Sequence, residues 1–175
     1  EANTSTVWTW LLALLAAITR REVAPLAVFT GGMLAVLGLL AGMDGARRFH
    51  RDRGSRAILV PASALLLLGV FPFWDYATSG LENGLCLFWI AAIWWLLVGL
   101  RGDSSRRRQA VFALVVGLGP LVRPDFGLVT IVFLAGGWMI IRPPWRRSLL
   151  LGAIAIALPF AYEIFRAGYY GTLIP

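Results

Sequence analysis

The chain has 175 residues, of which 59% are hydrophobic and 14% charged, with a net charge of +7. That apolar fraction excludes an ordinary soluble domain. All 16 basic residues are arginine, and most lie in loops between apolar runs, a pattern that fits membrane orientation better than a nucleic-acid surface.

The apolar segments, in chain order, are about 4–19, 23–43, 57–73, 84–100, 109–122, 126–141 and 148–162. A bilayer crossing needs about 20 helical residues, with a lower end near 17. The 21 residues of 23–43 suffice. The shorter runs need flanking arginines that snorkel or a locally thinned bilayer. Strand alternation is absent, which argues against a β-barrel. The expected fold is all-α, a multispanning transmembrane helix bundle. Cys86 is the single cysteine, which excludes a disulfide within the chain and the usual metal-site spacings.

Three loops, 44–56, 101–108 and 142–147, carry 12 of the 16 arginines. The positive-inside rule places all three in the cytoplasm. Alternation then puts 57–73 outward, 84–100 inward, 109–122 outward, 126–141 inward and 148–162 outward. His50 lies in a basic loop and reads as a solvated side chain. One region resists alternation. The run 23–43 must end inside, so Arg20–Glu22 belongs outside, and 4–19 either starts inside or does not cross. A re-entrant helix is tolerated only where protein buries it.

Three polar motifs fall on the outer side. The first is DYATSGLENGL at 75–85. Ser79 and Glu82 have the spacing of a capping box. Asp75 follows Phe71, Pro72, Phe73 and Trp74; it suits sugar hydroxyls or simply marks the water boundary. The second is GPLVRPDFG at 119–127. The run before it, 109–122, is about 21 Å long as a helix, short of the roughly 30 Å core, which sets Arg123 and Asp125 below the outer surface. Pro124 suits a first helical turn. Arg123 has the fork geometry for phosphate; the alternative is a local Arg123–Asp125 pair holding a helix break. The third is EIFRAGYYGTLIP at 163–175. Glu163 and Arg166 are three apart, a same-face pair. Gly168 offers a helix end. Tyr169 and Tyr170 suit interfacial anchors or a carbohydrate platform. No phosphate-cradling glycine loop and no serine or cysteine triad occurs.

SGLEN at 79–83, RPDFG at 123–127 and EIFRAGYYGTLIP at 163–175 together resemble the polyprenyl-phosphate-sugar-dependent glycosyltransferases of the GT-C fold. Within them the chain is similar, from Trp8 onward, to the actinobacterial terminal arabinofuranosyltransferases of cell-wall arabinan synthesis. The resemblance implies a decaprenylphosphoryl arabinofuranose donor and an arabinan acceptor, in arabinogalactan or lipoarabinomannan. It implies a multi-pass plasma-membrane protein with its functional face in the periplasm. Such enzymes carry an acidic residue in the first outer loop. EANTSTVW at 1–8 looks like the tail of that loop, which sets the catalytic aspartate upstream of Glu1. The chain is then expected to lack the first transmembrane helix, most of the first outer loop and the C-terminal part, and its start lies outside.

On this resemblance Arg123 is the candidate for the donor phosphate, with Arg166 behind it. Asp75, Glu82, Asn83, Asp125, Glu163, Tyr169 and Tyr170 are candidates for sugar or acceptor contacts. The acidic members are also candidates for a divalent cation, the one cofactor left open. No residue is assigned as the base. Membrane lipids are expected partners and nucleic acid is not. A polyprenyl-phosphate-mannose-dependent enzyme, a lipid or sugar transporter and a non-catalytic scaffold stay open as alternatives.

Overall fold

The computed structural model describes residues 5–51, 69–102 and 104–170. The described residues form helices and no strand, as expected. They are α1 (Thr6–Thr19), α2 (Val23–Arg51), α3 (Phe71–Ala77), α4 (Asn83–Gly102), α5 (Arg106–Gly117), α6 (Gly119–Val122), a 3-10 turn (Pro124–Phe126), α7 (Gly127–Ile141) and α8 (Trp145–Tyr170). Among the described residues, four helical stretches are long and apolar enough to cross a membrane: Val23–Arg51, Asn83–Gly102, Pro124–Ile141 and Trp145–Tyr169. Phe29, Leu128, Met139 and Leu149 are among many large apolar side chains left exposed on them, a surface that hydrocarbon solvates. The expected segment 57–73 lies mostly outside the described residues.

Two helices outrun their apolar segments. α2 continues eight residues past Met43 to Arg51, because the polar stretch supplies its own helical pairs. Asp44 binds Arg48 at 2.6 Å, an i,i+4 pair, and Arg47 at 3.5 Å, an i,i+3 pair, an arrangement that supports a helix. α8 starts directly after Pro143 and Pro144 and runs through Gly168 to Tyr170, so Gly168 does not end it.

The chain folds as two compact units, Val7–Gly99 and a second holding Glu1–Thr6 with Leu100–Pro175. The first is built on small residues. Ala27, Gly31, Ala35, Gly38 and Gly45 are the buried positions of α2, and a stripe of this kind lets backbones approach where water supplies no driving force between helices. A Cβ on Gly84 would run into the Gly31 carbonyl. One on Gly38 would sit 3.0 Å from the Phe88 Cα, and one on Gly45 2.8 Å from the Trp94 ring. The partners ascend together along both helices, so α2 and α4 run parallel. Near its far end the seam closes on a polar clasp: the Trp95 indole N–H donates to Asp44 at 2.8 Å, and the Arg48 guanidinium lies 4.7 Å over the Trp95 ring.

Helix α1 begins and ends at the same end of α2. The Trp8 indole N–H donates to the Gly80 carbonyl at 3.2 Å. Gly80 in turn packs beside Ala27, one turn into α2. After Thr19 the chain turns through Arg20, whose φ is +54°, and enters α2 at Val23. The 14 residues of α1 span about 21 Å, less than the bilayer core, and both ends are held at one level.

In the second unit α5 and α8 also run parallel. Gly117 meets the Ala155 backbone so closely that a Cβ would strike its carbonyl, while Gln109, two turns earlier on α5, faces Ser148 and Gly152 across a cavity. Pro159 lies inside α8; it has no N–H to return to Ala155, four residues back. α7 joins through Gly137 under the Phe112 ring and through the Thr130 hydroxyl, which donates to the buried Val116 carbonyl at 3.0 Å. The expected outward run 109–122 is interrupted: α5 stops at Gly117 and α6 is a separate four-residue helix with Pro120 in its first turn.

Candidate functional site

In the first unit the polar motif at 75–85 forms a tight turn between α3 and α4. Asp75 and Tyr76 are exposed on α3. The spacing of Ser79 and Glu82 predicts a capping box, and the structure corrects this. The Ser79 hydroxyl donates to the Tyr76 carbonyl at 2.8 Å and accepts from the Leu81 amide, two residues on, at 3.4 Å. Gly80, with φ +79°, turns the chain out of helical geometry, so α4 starts only at Asn83. The Glu82 carbonyl accepts the first helical bond of that turn, from Cys86 at 2.9 Å. Asn83 then reaches back, its side-chain amide donating to the Tyr76 carbonyl at 3.2 Å. That carbonyl is the hub of the turn. Sequence reading misses it, because a backbone acceptor leaves no mark beyond the polar residues that converge on it.

In the second unit Arg123 sits at the break between α6 and the 3-10 turn, with extended backbone at φ −152° and ψ 139°. An X-Pro step favours that conformation. Its Nε donates to Asp125 Oδ1 at 3.3 Å, the side chains being 40% and 65% exposed. The bond occupies one of five guanidinium donors. The expected local pair is therefore present, and it engages the Nε side of the guanidinium.

On the last turns of α8 the Arg166 guanidinium donates to Glu163 Oε1 at 3.4 Å, and the Arg166 side chain is only 16% exposed. The expected same-face pair is present. Tyr169 is exposed and stacks on Phe165, with ring centres 5.6 Å apart and 16° between planes. Tyr170 closes the helix; its side chain lies outside the described residues. The structure thus joins Arg123 with Asp125 and Glu163 with Arg166, and sets Asn83 beside Ser79 and Tyr76. Among the described residues no three His, Cys, Asp or Glu side chains gather as a metal-binding set.

The chain is similar along its whole length to two curated proteins named terminal beta-(1->2)-arabinofuranosyltransferase. One, from Mycobacterium tuberculosis (strain ATCC 25618 / H37Rv), is 41% identical over 186 aligned positions that cover all of this chain and 29% of that protein. The other, from Corynebacterium glutamicum, is 35% identical over 196 positions that cover all of this chain and 28% of that protein. The chain therefore spans under a third of the length of these relatives. No family model and no solved structure matches it.

Proposed function

Because this chain is homologous along its full length to a segment of the terminal β-(1→2)-arabinofuranosyltransferases, we propose that the protein carrying it is a membrane glycosyltransferase. It moves arabinofuranose from decaprenylphosphoryl arabinose to the arabinan ends of arabinogalactan or lipoarabinomannan. In this reading the domain is of the GT-C type and works on the periplasmic face of the plasma membrane. The 41% identity over the whole chain is the observation that carries the proposal.

The helix directions support the sidedness. Charge alternation sends the α2 and α4 segments inward, and these two pack parallel. It sends the α5 and α8 segments outward, and they too pack parallel. α1, held at one level at both ends, serves as an outer interfacial helix, which removes the parity conflict at residues 4–22.

In the reaction an acceptor hydroxyl attacks the anomeric carbon. The bond from that carbon to the phosphate oxygen breaks, the phosphate leaves with the electron pair, and a base takes the hydroxyl proton. Charge builds on the departing phosphate, where a fixed cation lowers the barrier most. Arg123 fills that role, pre-oriented by Asp125, with Arg166 behind it. Asp75, Glu82, Asn83, Asp125, Glu163, Tyr169 and Tyr170 supply contacts to sugar and acceptor. The exposed apolar helix faces supply the groove for the polyprenyl chain.

The test uses the full-length protein in membranes, labelled decaprenylphosphoryl arabinofuranose and an arabinan acceptor. Arg123→Ala at matched folded amounts is expected to lower transfer by about 10²–10³-fold, the range for losing one charge-stabilising donor. Unchanged transfer removes Arg123 from the phosphate role. A wild type inactive with the arabinose donor but active with a mannose donor overturns the substrate assignment.

A further inference from the structure

The parallel packing of α5 and α8 sets two helix N-termini side by side, both rich in arginine. Arg106, Arg107 and Arg108 open α5, and Arg146 and Arg147 open α8. Neither first turn holds an acidic residue. A helix N-terminus carries about half a positive charge, so each set of arginines is on the wrong end of its helix, and the two ends add. In the sequence Asp103 is the one acidic residue between Arg101 and Asp125, and none occurs from Phe126 to Tyr162. A topogenic loop needs arginines, but it does not need them in the first turns of two adjacent parallel helices.

Beneath these ends lies a cavity of about 110 Å³, lined by Gln109, Phe112, Trp138, Ser148 and Leu151. Gln109 is 4% exposed. Its side-chain NH₂ donates to the Ser104 carbonyl and hydroxyl at 2.7 Å each. Its carbonyl oxygen is buried with no hydrogen-bond partner, a state that native interiors seldom leave unfilled. The site therefore asks for three things together: a phosphate at the paired N-termini, a hydroxyl donor within one helical turn of it, and an apolar chain in the cavity.

We propose that the adjoining N-termini of α5 and α8 bind an anionic glycerophospholipid whose headgroup bears a hydroxyl. The first-turn arginines hold the phosphate, Gln109 accepts the hydroxyl, and the cavity between α5, α7 and α8 takes the start of an acyl chain. The lipid comes from the cytoplasmic leaflet; only that leaflet assignment rests on the sidedness proposed above.

The probe is phosphatidylglycerol, added to the full-length protein purified in detergent, with lipid retention read by native mass spectrometry. Phosphatidylglycerol is expected to stay bound while phosphatidylcholine exchanges away. Arg106→Gln with Arg146→Gln, both exposed positions, is expected to weaken retention by about thirtyfold, taking about 1 kcal/mol for each arginine near a lipid surface. Gln109→Leu, which keeps the volume and drops the unpaired acceptor, is expected to weaken it by about fivefold. Equal retention of phosphatidylcholine overturns the proposal, as does unchanged retention in the folded variants. Displacement by millimolar inorganic phosphate shows a free-anion site and overturns the lipid assignment. If the arginine pair fails to fold, Gln109→Leu decides alone. Binding in micelles depends neither on sidedness nor on sugar transfer, so failure of either reading registers separately. The leaflet is tested by labelling Ser104→Cys in sealed vesicles: access from outside only overturns the cytoplasmic assignment.

Discussion

Two alanine substitutions in one helix are expected to have opposite signs. Gly84 and Gly99 both belong to α4. At Gly99 a Cβ meets nothing within 4 Å, so Gly99→Ala brings only the helix-propensity gain, up to about 1 kcal/mol. At Gly84 a Cβ would lie 2.7 Å from the Gly31 carbonyl carbon and 2.9 Å from its Cα, against an ordinary 3.4–4 Å. Both partners are backbone, which has no rotamer to yield. α2 and α4 must then part by about 1 Å, a gap that forfeits a quarter to a half of each contact across the seam. Overpacking of this kind costs about 1–3 kcal/mol. Set against a propensity gain of at most about 1 kcal/mol, the overpacking leaves Gly84→Ala with an expected net loss of up to about 2 kcal/mol. Thermal denaturation of the full-length protein in detergent, followed by the loss of its monodisperse elution peak, ranks wild type and both variants. A Gly84→Ala midpoint at or above wild type refutes the close backbone crossing. So does a Gly99→Ala variant as damaged as Gly84→Ala.

The placement of α1 predicts that Thr9→Cys and Arg20→Cys react with an impermeant thiol reagent from the same side of sealed vesicles. Cys86 is buried and does not compete; labelling from opposite sides shows that α1 crosses. Thr130→Val removes the side-chain bond to the buried Val116 carbonyl, which keeps a backbone N–H at the end of α5, and is expected to lower stability by roughly 1 kcal/mol, while Thr130→Ser, which keeps the hydroxyl, spares it. Equal denaturation midpoints for the valine variant and wild type remove the tie between α5 and α7.

The spanning helices were legible because hydrocarbon selects by composition over long windows. Residues 84–100 already delimit α4 to within two positions. The Arg123–Asp125 and Glu163–Arg166 pairs were legible because partners two or three apart have little choice of geometry. The capping box failed at Gly80, whose positive φ overrode a spacing that fits a helix start. The fate of α1 was illegible for another reason. It depends on Trp8 meeting Gly80, 72 positions away, and no local pattern carries that. Gln109 gave only a faint signal, one amide at the edge of an apolar run. Its meaning appeared once Ser148 and Trp138 closed the space around it.

Pro159 divides α8 into two lengths with different duties. Below it the helix is fastened to α5, where Ala155 lies against the Gly117 backbone with no side chain between them. Above it the helix carries Glu163, Arg166 and Tyr169. The rung between Ala155 and residue 159 is missing from the ladder, so tilting the upper length breaks no hydrogen bond at that level. The upper length can swing like a crank on a fixed shaft, carrying the Glu163–Arg166 pair as one piece while the lower length stays seated against α5.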